Sequence, residues 1–445
     1  MINKKVLKNI ILLSYPLILE NLLQVSMGLF DNYFVSKLGT EEIAGVGITN
    51  LIMNIYMSVF YAIGVGTTAM VSRHLGAGEN ENASESAQQA YILSVALGLV
   101  IGVINLVFYK QILMLLGLDA SLLSAASPYF LVVAGPSVLL SMTIMISSSL
   151  RGAKDTKSTM KIAVVSNIVN IVLDPILIFG IFNIPGMGII GAGIATSFSR
   201  LVGVILLMRK TSSADSKIKI NYGNIFKFDK IIMMNITKIG IPVATERLFM
   251  RVGQLVYYSY IIALGTKVYA AYIVSGTLES FAYIPGIGIG GAAAALIGTS
   301  LGAKENEEAY RYGMGSLLVG TIFMVSIGII NFIFAPAIAD IFTKDAVVKA
   351  NIIYILRVTV LYEPFTAITL IITPALQGAG DTRVPMIFTL VGIWLFRVLG
   401  CYLLVYRMGY GISAVIFTVF LDIFLRSILL IVRYRRRKWQ YIKVY

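Results

Sequence analysis

Twelve predominantly apolar runs of 18 residues or more divide this chain, at about 10–36, 43–71, 86–110, 124–150, 160–181, 188–209, 234–264, 268–300, 311–342, 350–377, 385–406 and 410–433. About 20 such residues in a helix cross the hydrocarbon core of a bilayer. Inside lipid every backbone polar group must be satisfied within the spanning structure, so helices and closed barrels are the only candidates. A barrel would read as segments of about ten residues alternating apolar and polar, whereas these runs are continuous. The expectation is therefore an all-α integral membrane protein with twelve transmembrane helices, several of them long enough to be tilted or kinked. Composition agrees: 58% of the residues are hydrophobic and only 13% charged, about half the charge of an average soluble domain. The first run is too long for a signal-peptide core and contains Asp31, so it is read as a retained helix.

The net charge of +14 would suit a nucleic-acid binder, but its distribution argues otherwise. With the N-terminus inside, 24 Lys and Arg fall in inner segments and 6 in outer ones. That bias is the insertion rule for membrane proteins. It places both termini in the cytoplasm of a multi-pass cell-membrane protein and removes the nucleic-acid reading. One cysteine and one histidine allow neither an internal disulfide nor a His/Cys metal cluster. Cys401 is read as an inert buried thiol and His74 as a surface residue. No phosphate-cradling Walker sequence and no Gly-x-Ser-x-Gly elbow occur, so neither ATP drive, an ATPase subunit, an organic cofactor nor an enzymatic activity is expected.

The chain repeats itself. Leu150-Arg151-Gly152-Ala153-Lys154-Asp155-Thr156-Lys157 recurs as Leu376-Gln377-Gly378-Ala379-Gly380-Asp381-Thr382-Arg383, an offset of 226. The same offset relates Leu75-Gly76-Ala77 to Leu301-Gly302-Ala303, Pro16 to Pro242, and Glu20 to Glu246. Past the fifth span it slips to 222, where Thr196 meets Thr418. Two homologous six-helix lobes follow, 1–215 and 231–445, with a polar cytoplasmic linker at 216–230. Six spans is an even number, so the repeats are parallel and related by a pseudo-two-fold axis along the membrane normal, a plan characteristic of secondary transporters.

The element Leu376 to Met386, its partner Leu150 to Met160, the segment Phe30-Asp31-Asn32-Tyr33-Phe34-Val35-Ser36-Lys37-Leu38-Gly39 and the run Asn170-Ile171-Val172-Leu173-Asp174-Pro175 resemble the signatures of the multidrug and toxic compound extrusion transporters. The Asp-Pro pair in the fifth span is similar to the DinF-type branch. The first-half signature departs from the fuller version at Lys154 and Thr159, where the second half has Gly380 and Pro385. The resemblance implies a secondary antiporter that expels bulky amphipathic or cationic compounds in exchange for H⁺ or Na⁺, acting as a monomer. The alternative is a flippase for a lipid-linked saccharide, for which Arg200, Arg247, Arg251 and Arg397 would have to line the lumen.

An ionisable side chain inside a span costs a few kcal/mol and is a functional candidate by default. Neither Asp31 nor Asp174 has a basic residue within a turn on its own helix. Asp174 shares a face with Asn170, and Pro175 disturbs the carbonyl of residue 171. Those oxygens suit a proton or a hard cation, or else an Asp–Asn hydrogen bond that pins two helices. The resemblance implies the first: its cation-coupling set matches Asp31, Asn170, Asp174 and Thr196, with Na⁺ able to sit at the two aspartates. Two carboxylates sharing a poorly hydrated pocket cannot both stay ionised cheaply, so one is expected to hold a proton.

Glu246 and Glu363 fall on the seventh and tenth spans, where another pattern of the family puts coupling acids. Glu20, the repeat partner of Glu246, favours instead a helix-end carboxylate with a structural partner. Asp422 and Arg426 are spaced for an i,i+4 salt bridge. Polar-aromatic faces that could line a substrate path carry Asn21, Gln24, Met27, Met53, Tyr56, Met57, Tyr61, Met250, Tyr257, Tyr258 and Tyr283. Methionines repack around varied shapes and aromatic rings attract organic cations; plain packing explains the same residues.

Overall fold

A computed structural model of the chain describes residues 4–118, 120–181, 184–224 and 227–444. The order is α1 (Lys4–Ser36), α2 (Thr40–Gly76), α3 (Asn80–Met114), α4 (Ala120–Ala134), α5 (Ser137–Gly152), α6 (Thr156–Phe179), α7 (Gly188–Ser212), α8 (Lys230–Ala263), α9 (Thr266–Gly302), α10 (Asn306–Phe342), α11 (Ala346–Thr359) and α12 (Glu363–Gly378). Then come α13 (Arg383–Arg407) and α14 (Ile412–Arg435). Among the described residues nine single helices and two bent pairs, α4 with α5 and α11 with α12, are long and apolar enough to cross a membrane. The seventh apolar run of the sequence lies in the 34-residue α8, which also carries Glu246, Arg247 and Arg251 and is not among these.

The fourth and tenth spans, read from sequence as single runs, are broken. Their halves bend by 42° and 61°. The break falls at the same repeat position in both, since α5 begins at Ser137 and α12 at Glu363. Proline stands at each break, as Pro136 before α5 and Pro364 in the first turn of α12; it lacks the N–H that would carry the helix through but suits a helix start. The second span of each repeat packs on the inner half of this broken span through a glycine. A side chain at Gly64 would strike Ser148, and one at its repeat partner Gly290 would strike the Leu370 carbonyl.

The one departure from an all-helical chain, among the described residues, is a two-residue antiparallel ladder joining α6 to α7. Gly180–Ile181 pairs with Ile184–Pro185 after Gly180 turns at φ 81°. Large apolar side chains face outward throughout: Val107 is 60% exposed, Leu255 65% and Ile333 62%. Such a surface is matched by lipid rather than water.

The chain divides into two compact units that are not contiguous in sequence. One is Leu19–Lys238; the other combines Met1–Ile18 with Ile239–Val444. The linear division assigned residues 1–18 to the first lobe, but Val6 and Ile10 pack with Ile289, Ile371 and Tyr312 of the second unit. The divisions lie within a turn of Pro16 in α1 and of Lys238 in α8, four residues before Pro242. The linker is not a free tether either. Ile218 and Ile220 are buried under α3 and α5 in the first unit, and Gln88 exchanges hydrogen bonds with Asn221 (2.7 and 3.0 Å). Ile225 and Phe226 of that linker lie outside the described residues. At the end of the chain Trp439 is fully buried in the second unit and stacks on Tyr434.

Candidate functional site

In the first unit, α6 starts on Asp155, whose carboxylate accepts from the Ser158 N–H at 3.1 Å. From there an unbroken helix carries Asn170 and Asp174, one turn apart and both fully buried. The short ladder returns the chain as α7, which presents Thr196 and Arg200, again one turn apart. α7 is fastened to α4 by Ser197, which donates to the Val132 carbonyl at 2.7 Å. α4 supplies Tyr129, which is buried beside Thr196.

The structure brings the two predicted aspartates together. Asp31, from α1, and Asp174 lie within hydrogen-bonding reach of each other. Asn170 Nδ2 donates to Asp174 Oδ1 at 3.4 Å. Asp31 Oδ1, Asp174 Oδ2 and Asn170 Oδ1 receive no donor among the described residues. A hydrogen bond between two carboxyl groups requires a proton on one of them, so this geometry suits a site that loads and releases a single positive charge. Thr196 donates to the Ala192 carbonyl at 3.0 Å and reaches the group through Tyr129.

Two neighbours escaped the sequence reading. Tyr129, 3% exposed, interacts electrostatically with Asp31, Asp174 and Arg200; it sits in no recognisable motif, and only the packing of α4 on α7 reveals it. Arg200 was flagged as an intramembrane base, but not as a neighbour of Asp31, with which it interacts electrostatically. Its Nη1 lies 3.5 Å from the Val133 carbonyl.

The second unit is built differently. Glu246 is bound by Gln377 (3.1 Å) and Thr389 (2.7 Å), as its repeat partner Glu20 is bound in the first unit by Arg151 (2.5 Å) and Thr159 (3.2 Å). Both carboxylates brace the signature loop. Glu363 begins α12, 2% exposed, and its Oε2 has no donor. Asp422 keeps the i,i+4 bridge to Arg426 (3.1 Å) and adds a shorter one to Arg397 of α13 (2.6 Å).

Of the substrate-path residues, Met250, Tyr257, Tyr258 and Tyr283 surround one cavity of about 280 Å³ that Glu279 and Arg397 also line. In the first unit Met53, Tyr56, Met57 and Tyr61 pack into a core cluster, with Tyr56 donating to Asn105 Oδ1 at 2.6 Å. Asn21 and Met27 are half-buried along α1 and Gln24 is exposed. His74 is a correction: it is 6% exposed, because Glu79 folds back to bond its Nδ1 at 2.7 Å. Cys401 is buried, 3.1 Å from the Thr418 hydroxyl.

A family model, MatE, matches residues 16–176 and again 242–403, so the family's unit coincides with the internal repeat. The "Probable multidrug resistance protein NorM" of Thermotoga maritima is 28% identical over 97% of this chain and 93% of its own length. The "Uncharacterized transporter YisQ" of Bacillus subtilis is 26% identical over 96% of this chain and 94% of its own. Among solved structures, an outward-facing multidrug resistance MATE family transporter superposes with a TM-score of 0.90 over 98% of each chain, at 24% identity. That likeness is one of fold.

Proposed function

The chain belongs to the MatE family, and on that premise we propose that it is a multidrug efflux antiporter of the cell membrane, exporting amphipathic or cationic organic compounds in exchange for a proton or a sodium ion. The observation that carries the exchange is the Asp31–Asp174 carboxyl pair with Asn170, held where α1, α6 and α7 meet in the first unit. Asp31, Asn170 and Asp174 hold the exchanged cation, and Thr196 positions Tyr129 beside it. Loading the pair favours one arrangement of the transporter and drug binding the other, and the difference in affinity of each ligand for the two arrangements is the coupling. Both termini and the linker lie in the cytoplasm on the lysine and arginine count, and no second chain is needed. Of the arginines the flippase alternative would need, Arg397 lines the second unit's cavity but is bridged to Asp422, and Arg251 bonds Gln254 on its own helix.

Reconstitution in liposomes tests this. Efflux of a fluorescent organic cation is expected when a ΔpH or a Na⁺ gradient is imposed, and not when every ion gradient is collapsed and ATP supplied.

A further inference from the structure

The repeat that relates the two halves pairs one intramembrane charge of each, with the sign reversed. At the offset of 222 that pairs Thr196 with Thr418, Arg200 pairs with Asp422. The fifth span of the first repeat carries Asp174, whose repeat position in the second is Gly400, and that span carries Arg397 about a turn away. At the offset of 226, Asp31 meets Tyr257, and the Arg397 guanidinium lies 5.4 Å from the centre of that ring. In the second unit the fifth and sixth spans are locked by the bridge from Arg397 to Asp422 at 2.6 Å. In the first unit the corresponding acid and base stand open. Asp174 and Asp31 face each other, while Arg200, one turn beyond Thr196, rests against the Val133 carbonyl at 3.5 Å.

We infer that Arg200 is a tethered counter-ion of the Asp31–Asp174 pair, closing on it when the exchanged cation departs and setting the site against Na⁺. The inference rests on the proposed role of that pair. The groups that face one another here are Asp31 of α1, Tyr129 of α4, Asn170 and Asp174 of α6, and Thr196 and Arg200 of α7. A guanidinium keeps its charge at every physiological pH, so whatever enters must do so against a fixed positive neighbour in a weakly screened interior. A proton needs one oxygen and no room. A sodium ion needs several inner-shell oxygens at once, and Arg200 competes for the same carboxylates. Once the cation is gone, the guanidinium satisfies the oxygens that would otherwise stay buried and unpaired.

The test measures ²²Na⁺ binding to the purified full-length transporter, and efflux of a fluorescent organic cation from liposomes under ΔpH alone or a Na⁺ gradient alone. The wild type is expected to respond to ΔpH and to bind Na⁺ weakly. Arg200→Gln is expected to bind Na⁺ at least about tenfold more tightly, the order of effect of removing one nearby charge, and to gain Na⁺-driven efflux. Arg200→Lys, which keeps the charge, should restore the weak Na⁺ affinity. Unchanged Na⁺ affinity in Arg200→Gln overturns the inference, and so does tight Na⁺ binding by the wild type, a readout that survives if the variant does not fold. Asp174→Asn separates the two levels. If it leaves exchange intact, the carboxyl site itself is wrong; if it stops exchange while Arg200→Gln binds Na⁺ as the wild type does, only the role of Arg200 fails.

Discussion

The two repeats use equivalent positions for opposite ends. In the second unit Asp422 is fully buried and held by Arg397 and Arg426, which makes the sixth span a brace. In the first unit the same level holds two acids from different helices, an amide with a free oxygen, and a base left at a distance. A closed ion pair has nothing to exchange. A carboxyl pair that no base bridges does. A swap of charge thus leaves one lobe stiff and the other responsive, and the helix geometry differs between them: α6 runs through Pro175 to Phe179, whereas α13 carries two π-helical stretches, Gly392–Val398 and Tyr402–Arg407.

The widest gap between the lobes should appear on neutralising one acid in each. Asp174→Asn mimics a permanently loaded site and is expected to abolish gradient-driven efflux while the protein still folds, since a neutral amide is cheaper to bury than a charge. Asp422→Asn leaves Arg397 and Arg426 without their carboxylate, and it should cost about 3–5 kcal/mol of stability, read as a lower midpoint in a thermal melt. If Asp422→Asn melts like the wild type while losing transport, the comparison is reversed and the second lobe carries the exchange.

A smaller difference lies in the signature loops. In each, the aspartate reaches a base at the end of the sixth span: Asp155 to Lys210 at 3.6 Å, and Asp381 to Arg433 at 2.7 Å. Each loop also requires a left-handed residue. Gly380 supplies it in the second repeat at φ 90°, but Lys154 in the first is forced to φ 61°. At the loop between the second and third spans of each repeat the assignment is inverted, with Gly78 at φ 81° and Lys304 at φ 60°. A side chain in that region costs about 1 kcal/mol. Lys154→Gly and Lys304→Gly should therefore each raise stability by up to about 1 kcal/mol, and Gly380→Lys, where a Cβ would also crowd Val444, should lower it. A denaturant midpoint that falls on Lys154→Gly would show that the lysine makes contacts worth more than its backbone strain.

The smallest effect concerns acid. Lys210 and Ser213 hold the Asp215 carboxyl at about 2, below its usual 3.8. A depressed carboxyl stabilises the fold above 3.8, and that contribution is lost as pH falls toward 2. Asp215 is fully exposed, so the change should be slight. The melting temperature of Asp215→Asn should converge with that of the wild type across this window; a difference that stays constant down to pH 2 would mean that the charge of this carboxylate contributes nothing.

Much of this was legible in the chain. Twelve apolar runs, the bias of lysine and arginine, and a constant offset of 226 determine a helical membrane protein of two parallel repeats, because hydrophobic length, insertion charge and duplication are properties of consecutive residues. The candidate site was partly legible for the same reason: an acid deep in an apolar run, with no base a turn away, declares itself at Asp31 and Asp174. The rest depended on neighbours distant in sequence. Nothing around Tyr129 marks it as facing the aspartates, nothing around Glu79 says that it bonds His74, and nothing in sequence announces that Arg397 joins the Asp422–Arg426 pair while Arg200 stands near Asp31. The boundary between the compact units at Ile18, within the first helix, likewise follows from what its two halves pack against. Hydropathy is written along the chain, but the partner of a buried polar atom is chosen only when helices hundreds of residues apart are brought within hydrogen-bond distance.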